Sequence, residues 1–294
     1  MNSTTKAWIE AARLRTLPAA FAPVLIGASI AYADNQLNTA ITLIAVVCAL
    51  LIQIGTNFAN DYYDFKKGAD TSDRIGFARA SASGSISPEI MRNATWLTMA
   101  LAFVTGLYLV YTAGWIILVI GVFSILFGIA YTGGPYPLAY NGLGDIFVFI
   151  FFGFVAVIGT YYINTLELST DAFWASIAAG ALTTSILVVN NLRDSESDRK
   201  VGKNTLGVKF GDRFLKFEYL ILMMLAYSIP PHFRFQEGYS NIVLLPMMML
   251  PLAAVLVYRI WTNSNKHDLN NMLGQTAAHL LLFSILFAAG IILD

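Results

Sequence analysis

Apolar stretches long enough to cross a bilayer recur along this chain of 294 residues, and that recurrence restricts it to a polytopic membrane protein. No water reaches the hydrocarbon to satisfy peptide groups, so repeated spans of this kind fold as helices that close their own backbone hydrogen bonds. Hydropathy places the spans at about 17–33, 40–59, 94–111, 114–131, 145–163, 172–189, 217–228, 241–261 and 276–293. The turn at Thr112 and Ala113 joins the third span to the fourth, and Pro230 with Pro231 is expected to end a short seventh. The expectation is an all-α bundle of about nine transmembrane helices, one domain over residues 1–294. Only 12% of the residues are charged, roughly half the share in an ordinary soluble domain. No small-residue cleavage site follows the first apolar run, so that span reads as an uncleaved anchor. Cys48, the single cysteine, lies within an apolar run, which excludes an internal disulfide and a thiolate metal site.

Charge orients the bundle. With the N-terminus placed in the cytoplasm, all but Arg234 of the 18 basic residues fall on the cytoplasmic side. The second and sixth spans then both end on that face. The polar segments 61–92 and 191–214 that follow them are expected to be cytoplasmic neighbours.

Those two segments carry the chemistry. The first begins NDYYDFKKGAD, and Asn57, Asn60, Asp61 and Asp64 lie on one face of a continuing helix, with a stop expected at Gly68. The second reads NNLRDSESDRKVGKNTLGVKFG, with Asn191, Asp194 and Asp198 on one face. Asn60-x3-Asp64 is echoed by Asn190-x3-Asp194, and both units end in cations, Lys66 with Lys67 and Arg199 with Lys200. One acidic helix end is a common solvated loop. Two with the same spacing and the same flanks suggest facing jaws, in which carboxylates hold a hard divalent cation and nearby cations hold a phosphate. Ionisable groups at membrane depth usually point into such a polar cavity. The chain has no EF-hand loop, no HExxH and no Walker A loop. His232, His267 and His279 are scattered, and His279 sits in an apolar run that suits a core histidine.

The paired motifs resemble the two aspartate-rich motifs of the UbiA superfamily of intramembrane prenyltransferases. WIEAARLRTLPAAFAPVLIG at the start, DRIGFARASASGSIS after the first motif and YTGGPYPLAYNGLGDIFVFIFFGFVAVIGTYY are most similar to its menaquinone-pathway branch, whose acceptor is 1,4-dihydroxy-2-naphthoate. The resemblance covers residues 8 to about 211; the last three spans match in hydropathy alone. It implies that Asp61, Asp64, Asp194 and Asp198 hold Mg²⁺ on the diphosphate of a polyprenyl diphosphate, and that Asn60 and Asn191 assist. Arg193 is expected on the diphosphate directly, helped by Lys66, Arg74, Arg79 or Lys203. Many members carry a lysine in the loop after the fourth span. Here that loop is uncharged, with Pro137, Ala139 and Tyr140 in its place, which departs from the family pattern.

A substrate with a long apolar tail and a charged head calls for a central cavity open to lipid and capped by cations. Neutralising the diphosphate lets it leave and generates an allylic cation, which the electron-rich acceptor ring attacks. Loss of CO₂ then gives a demethylmenaquinol. Tyr62, Tyr63 and Tyr131 suit stabilisation of that cation through their ring faces, and equally suit an interfacial belt. The expected partners are the two substrates and membrane lipid, with no nucleic acid. The expected location is the cell membrane, with the active site toward the cytoplasm. Two other readings stay open: transfer to a 4-hydroxybenzoate, haem or chlorophyllide acceptor, and a secondary transporter. The transporter fits less well, because both acidic clusters lie at one face rather than near the midplane.

Overall fold

Polar caps start several of the long helices. Asn38 accepts from the backbone N–H of Ala40 and Ile41, Ser169 from those of Asp171 and Ala172, and Ser87 from that of Ile90 just after Pro88. The computed structural model describes residues 3–70, 75–77, 79–263 and 265–294, and every regular element among them is helical. In order these are α1 (Ser3–Ala12), α2 (Pro18–Ala33), α3 (Thr39–Lys66), α4 (Pro88–Ala113), α5 (Trp115–Ala130) and α6 (Gly144–Val148). A π-helical stretch, Phe149–Val155, leads from α6 into α7 (Ala156–Thr165). Then come α8 (Thr170–Lys200), α9 (Leu206–Phe210), α10 (Asp212–Phe235), α11 (Leu250–Thr262) and α12 (Leu269–Ile292). A 3₁₀ stretch, Asn241–Met249, precedes α11.

Six helical stretches among the described residues are long and apolar enough to cross a membrane. They are Thr39–Lys66, Pro88–Ala113, Gly144–Thr165, Thr170–Lys200, Asn241–Thr262 and Lys266–Ile292. The chain start, bent by 47° where it meets α2, makes a seventh if the pair counts as one span. Six pass that test, or seven with the bent pair; α5 and α10, which hold the fourth and seventh expected spans, do not pass it. The α5 helix has 16 residues, about 24 Å, which is short for a hydrocarbon core of about 30 Å. The α10 helix carries Asp212, Arg213, Lys216 and Glu218 in its first two turns.

Two local expectations also change. Gly114, at φ 87°, alone joins α4 to α5, so the turn is one residue rather than Thr112 with Ala113. The helix α10 runs through Pro230 and Pro231 instead of ending there. Packing overrides the proline penalty: Ile229, Pro230 and Phe233 are buried, and the Phe233 ring meets that of Phe287 on α12 at 5.0 Å between centroids. The stop at Gly68 agrees with a positive φ of 66° just beyond α3.

The central element is α8. In its most apolar window 78% of residues are buried, against 22% in α3 and α4, whose outer faces are left for lipid. Its run of Ala, Gly, Ser and Thr lets neighbours approach closely. It packs on α2, α10 and α12 around Ile26, Leu182, Tyr219, Phe283 and Phe287. The π-helical stretch brings Gly153 against Gly180, so a Cβ added to Gly180 would lie 2.8 Å from the Phe149 carbonyl oxygen. Gly180→Ala should lower stability by about 1–3 kcal/mol, the cost of overpacking a tight contact. Gly121→Ala, whose Cβ would meet nothing within 4 Å, should leave it unchanged or slightly raised. Thermal unfolding in detergent separates these, and a Gly180→Ala protein as stable as wild type would show that the close approach is not needed.

Candidate active site

Both Asn/Asp stripes are helical, as their spacing required. The α3 helix continues through Asn60, Asp61 and Asp64, and α8 through Asn191, Asp194 and Asp198; all six are buried. A cavity of about 360 Å³ runs between the two helix ends and down the bundle. Its polar end includes Asn60, Asp64, Arg79, Asn190, Asn191 and Lys203. Its remainder is apolar and reaches Leu109, Ile117 and Ile163 near the opposite helix ends. A cavity of this size, apolar with a few convergent polar groups, matches a small-molecule site.

Within the first stripe the side chains divide their work. Asn57 donates to the Ala12 carbonyl at 3.0 Å and to the Thr16 hydroxyl at 3.3 Å, fixing the joint between α1 and α2. Asn60 accepts a short hydrogen bond from the Thr132 hydroxyl. Asp61 accepts the backbone N–H groups of Ala80 and Ser81, each at 2.9 Å, and so anchors the segment after α3. Asp64 faces the cavity. It accepts from Arg79 Nη2 at 3.2 Å and from the Tyr140 hydroxyl at 2.9 Å, and Arg79 Nε lies 3.6 Å from Asp70. Burial and the Asp64 carboxylate hold the Tyr140 phenol well above its ordinary pKa, so it remains a donor.

The second stripe is more self-contained. Arg193, buried, grips Asp194 through two bonds of 2.7 Å and also donates to Asn190 at 2.7 Å and Asn270 at 3.1 Å. Asn270 donates in turn to the Ile75 carbonyl at 3.0 Å, tying α12 to the segment after α3. Lys203 lies 3.4 Å from Asp198. Asn191 directs its amide group toward Asp145 at 3.4 and 3.5 Å.

Of the candidates named from sequence, the fold therefore brings Asn60, Asp64, Arg79, Asn191 and Lys203 onto one cavity wall. Asp61, Asp194, Asp198 and Arg193 are buried beside it without lining it. Lys66 is exposed; its neighbour Lys67 instead reaches the loop before α6, donating to the Thr132 carbonyl at 2.7 Å and lying 4.1 Å over the Tyr140 ring. Desolvation pulls the Lys67 ammonium below its ordinary pKa, with the Asp64 charge opposing. Arg74 lies outside the described residues. Tyr140, Thr132, Asp145 and Asn270 were not among the candidates; Tyr140 stood in the loop noted as uncharged.

The donor chemistry at the polar end suits a hard divalent cation. Asp64, Asn60 and Asn191 offer oxygen atoms only, and Asp64 already draws a positive group, Arg79 Nη2, to its carboxylate. Among the described residues no three His, Cys, Asp or Glu side chains converge as a ready-made metal site, so amide oxygens would have to share in the coordination.

Residues 20–290 match the UbiA prenyltransferase family. The chain belongs to that family. It is an aromatic prenyltransferase, 35% identical over 99% of its length to 97% of the 1,4-dihydroxy-2-naphthoate octaprenyltransferase of Escherichia coli (strain K12). Among solved structures it is similar to a UbiA homolog from Aeropyrum pernix K1, with a TM-score of 0.72 at 14% identity, covering 96% of this chain and 98% of that one. It is also similar to a UbiA homolog from Archaeoglobus fulgidus bound to DMAPP and Mg²⁺, with a TM-score of 0.65 at 14% identity, covering 96% and 99%. At that identity the two structures speak for the fold alone.

The division of labour in the first stripe is testable. Asp61→Ala should strand two buried amides, at about 1–3 kcal/mol each, and speed hydrogen exchange at Ala80 and Ser81. Asp64→Ala should leave exchange at those two amides as it was. Equal protection in Asp61→Ala and wild type would remove the anchoring role.

Proposed function

We propose that the protein transfers a polyprenyl group from a polyprenyl diphosphate to 1,4-dihydroxy-2-naphthoate, giving a demethylmenaquinol with loss of CO₂ and diphosphate. The observation that carries this reading is the shape of the site: two Asn/Asp helix ends at the polar end of one cavity that is otherwise apolar. The naming of several relatives as naphthoate octaprenyltransferases supports the acceptor, and the DMAPP and Mg²⁺ of the Archaeoglobus homolog support the donor and the ion.

In this reading Asn60, Asp64 and Asn191 would hold Mg²⁺ from the cavity wall, with Asp61, Asp194 and Asp198, buried beside it, as the remaining carboxylates of the two jaws. When bound, Mg²⁺ neutralises the diphosphate and makes it a better leaving group. Arg79 and Lys203 line the same wall and add positive charge for the phosphate oxygens, and Arg193, Lys66 and Arg74 are further candidates for that role by charge. The apolar wall takes the prenyl chain and keeps water from the allylic cation. Phe127, Phe147 and Phe151, clustered with centroids 4.9 to 6.2 Å apart, line that wall and offer ring faces to the cation, as does Tyr131. The acceptor ring supplies the electron pair for the new C–C bond, and CO₂ leaves so that the ring becomes aromatic again.

The topology that goes with this chemistry is a single domain over 1–294 whose nine helices cross the membrane, N-terminus and active site toward the cytoplasm, cavity open sideways to lipid. The skew of basic residues to the end that holds both motifs supports it.

Membranes containing the protein, given Mg²⁺, a polyprenyl diphosphate and 1,4-dihydroxy-2-naphthoate, should form the prenylated naphthoquinol. Product with 4-hydroxybenzoate and none with the naphthoate would sink the acceptor assignment. Asp64→Ala and Asp194→Ala should each reduce turnover about 100-fold or more while the protein remains inserted. Near-normal rates in both would end the metal role.

A further inference from the structure

The loop between α5 and α6, residues 131–143, has no formal charge, yet it touches the first stripe and the segment that follows the second. From its near end Thr132 donates its hydroxyl to Asn60 Oδ1, and its carbonyl accepts from Lys67 Nζ at 2.7 Å. From its far end Tyr140 donates its hydroxyl to Asp64 Oδ1 at 2.9 Å. Two of the cavity-lining members of the first stripe, Asn60 and Asp64, are thus held by hydroxyls of one loop.

The same loop is fastened to the segment that follows the second stripe. The Tyr140 carbonyl accepts from the Asn204 N–H at 3.0 Å, and the Asn141 carbonyl from Lys209 Nζ at 2.6 Å. Lys203, which pairs with Asp198, lies 5.7 Å from the Tyr140 ring centre, and Lys67 lies 4.1 Å from it. Gly142 makes this fit possible. It takes φ 76°, and a Cβ there would meet Lys209 Nζ at 3.0 Å and the Asn204 carbonyl oxygen at 3.1 Å.

We propose that Thr132 and Tyr140 are positioning residues: their hydroxyls orient Asn60 and Asp64 toward the cation–diphosphate head, and their loop ties the first stripe to the segment after the second. The inference rests on the reading of the polar end as the cation site. Each hydroxyl occupies one lone pair of its partner's oxygen; Arg79 takes another on Asp64 Oδ2, and the rest remain for a ligand. A carboxylate or amide so pinned loses less rotamer freedom when the ligand arrives. Outer partners of this kind commonly govern ligand affinity by about 10- to 100-fold.

The test measures binding without turnover. Purified protein in detergent, with an unreactive prenyl thiolodiphosphate present, is titrated with Mn²⁺ and free ion is read by electron paramagnetic resonance. Thr132→Val and Tyr140→Phe should each weaken Mn²⁺ binding about ten-fold or more, with thermal unfolding unchanged. Thr132→Ser, which keeps the hydroxyl, should bind within about two-fold of wild type. Wild-type affinity in both Thr132→Val and Tyr140→Phe would overturn the proposal, as would a Thr132→Ser protein as weak as Thr132→Val. Asp64→Ala serves as the separate check on the site itself. Full Mn²⁺ binding in Asp64→Ala would refute the cation reading, whereas weak binding there with unaffected hydroxyl variants refutes only the positioning role.

Discussion

Taking a carboxylate out of water costs several kcal/mol unless other donors replace its hydration, and this chain does so four times at two helix ends. Asp61, Asp64, Asp194 and Asp198 are all at most 6% exposed. Each is answered from a different part of the chain: backbone amides for Asp61, Arg79 and Tyr140 for Asp64, Arg193 for Asp194, Lys203 for Asp198. Meeting those demands draws the segment after α3, the loop before α6, and the start of α12 through Asn270, into one layer over the bundle end. The polar layer is a consequence of burying those four charges.

Below that layer the constraint reverses. A bundle in lipid gains nothing from hiding one apolar surface rather than another, so packing depends on close approach. The small residues of α8 supply it, and the Gly153–Gly180 contact is where it is tightest between α8 and its π-helical neighbour. On the other side, α3, α4 and α5 stand away from α8 and leave the apolar cavity between. Tight packing on one flank of α8 and open volume on the other belong to the same arrangement, and the cavity's charged end falls where α3 and α8 finish.

How much of this the sequence disclosed depends on the range of the interaction. The stripes were legible because helical periodicity is local: once α3 and α8 continue past the hydrocarbon, Asn60 with Asp64 and Asn191 with Asp194 must share faces. The partners were not legible. Tyr140 lies 76 residues from Asp64, in a loop with no period to read, and Asn270 lies 77 residues from Arg193. Charge alone pointed to Lys66, whereas the turn after α3 carries Lys67 to the loop before α6. Pro230 and Pro231 misled for the opposite reason, since a local penalty was outweighed by the burial of Phe233 and its neighbours. Arg193 shows the same limit. Its type suited a phosphate, and its geometry here spends four of its contacts on Asp194, Asn190 and Asn270.

The central claim is that the two helix ends act together on one ligand head at the mouth of an apolar cavity. A crystal of the protein grown with Mn²⁺ and an unreactive prenyl diphosphate, measured at a wavelength where manganese scatters anomalously, tests it most directly. The account predicts an anomalous peak at the polar end with oxygen ligands from both α3 and α8, Asp64 among them, and the prenyl chain lying along the wall toward Ile117. A peak bound by one helix end alone, or a prenyl chain lying outside the cavity, would contradict it.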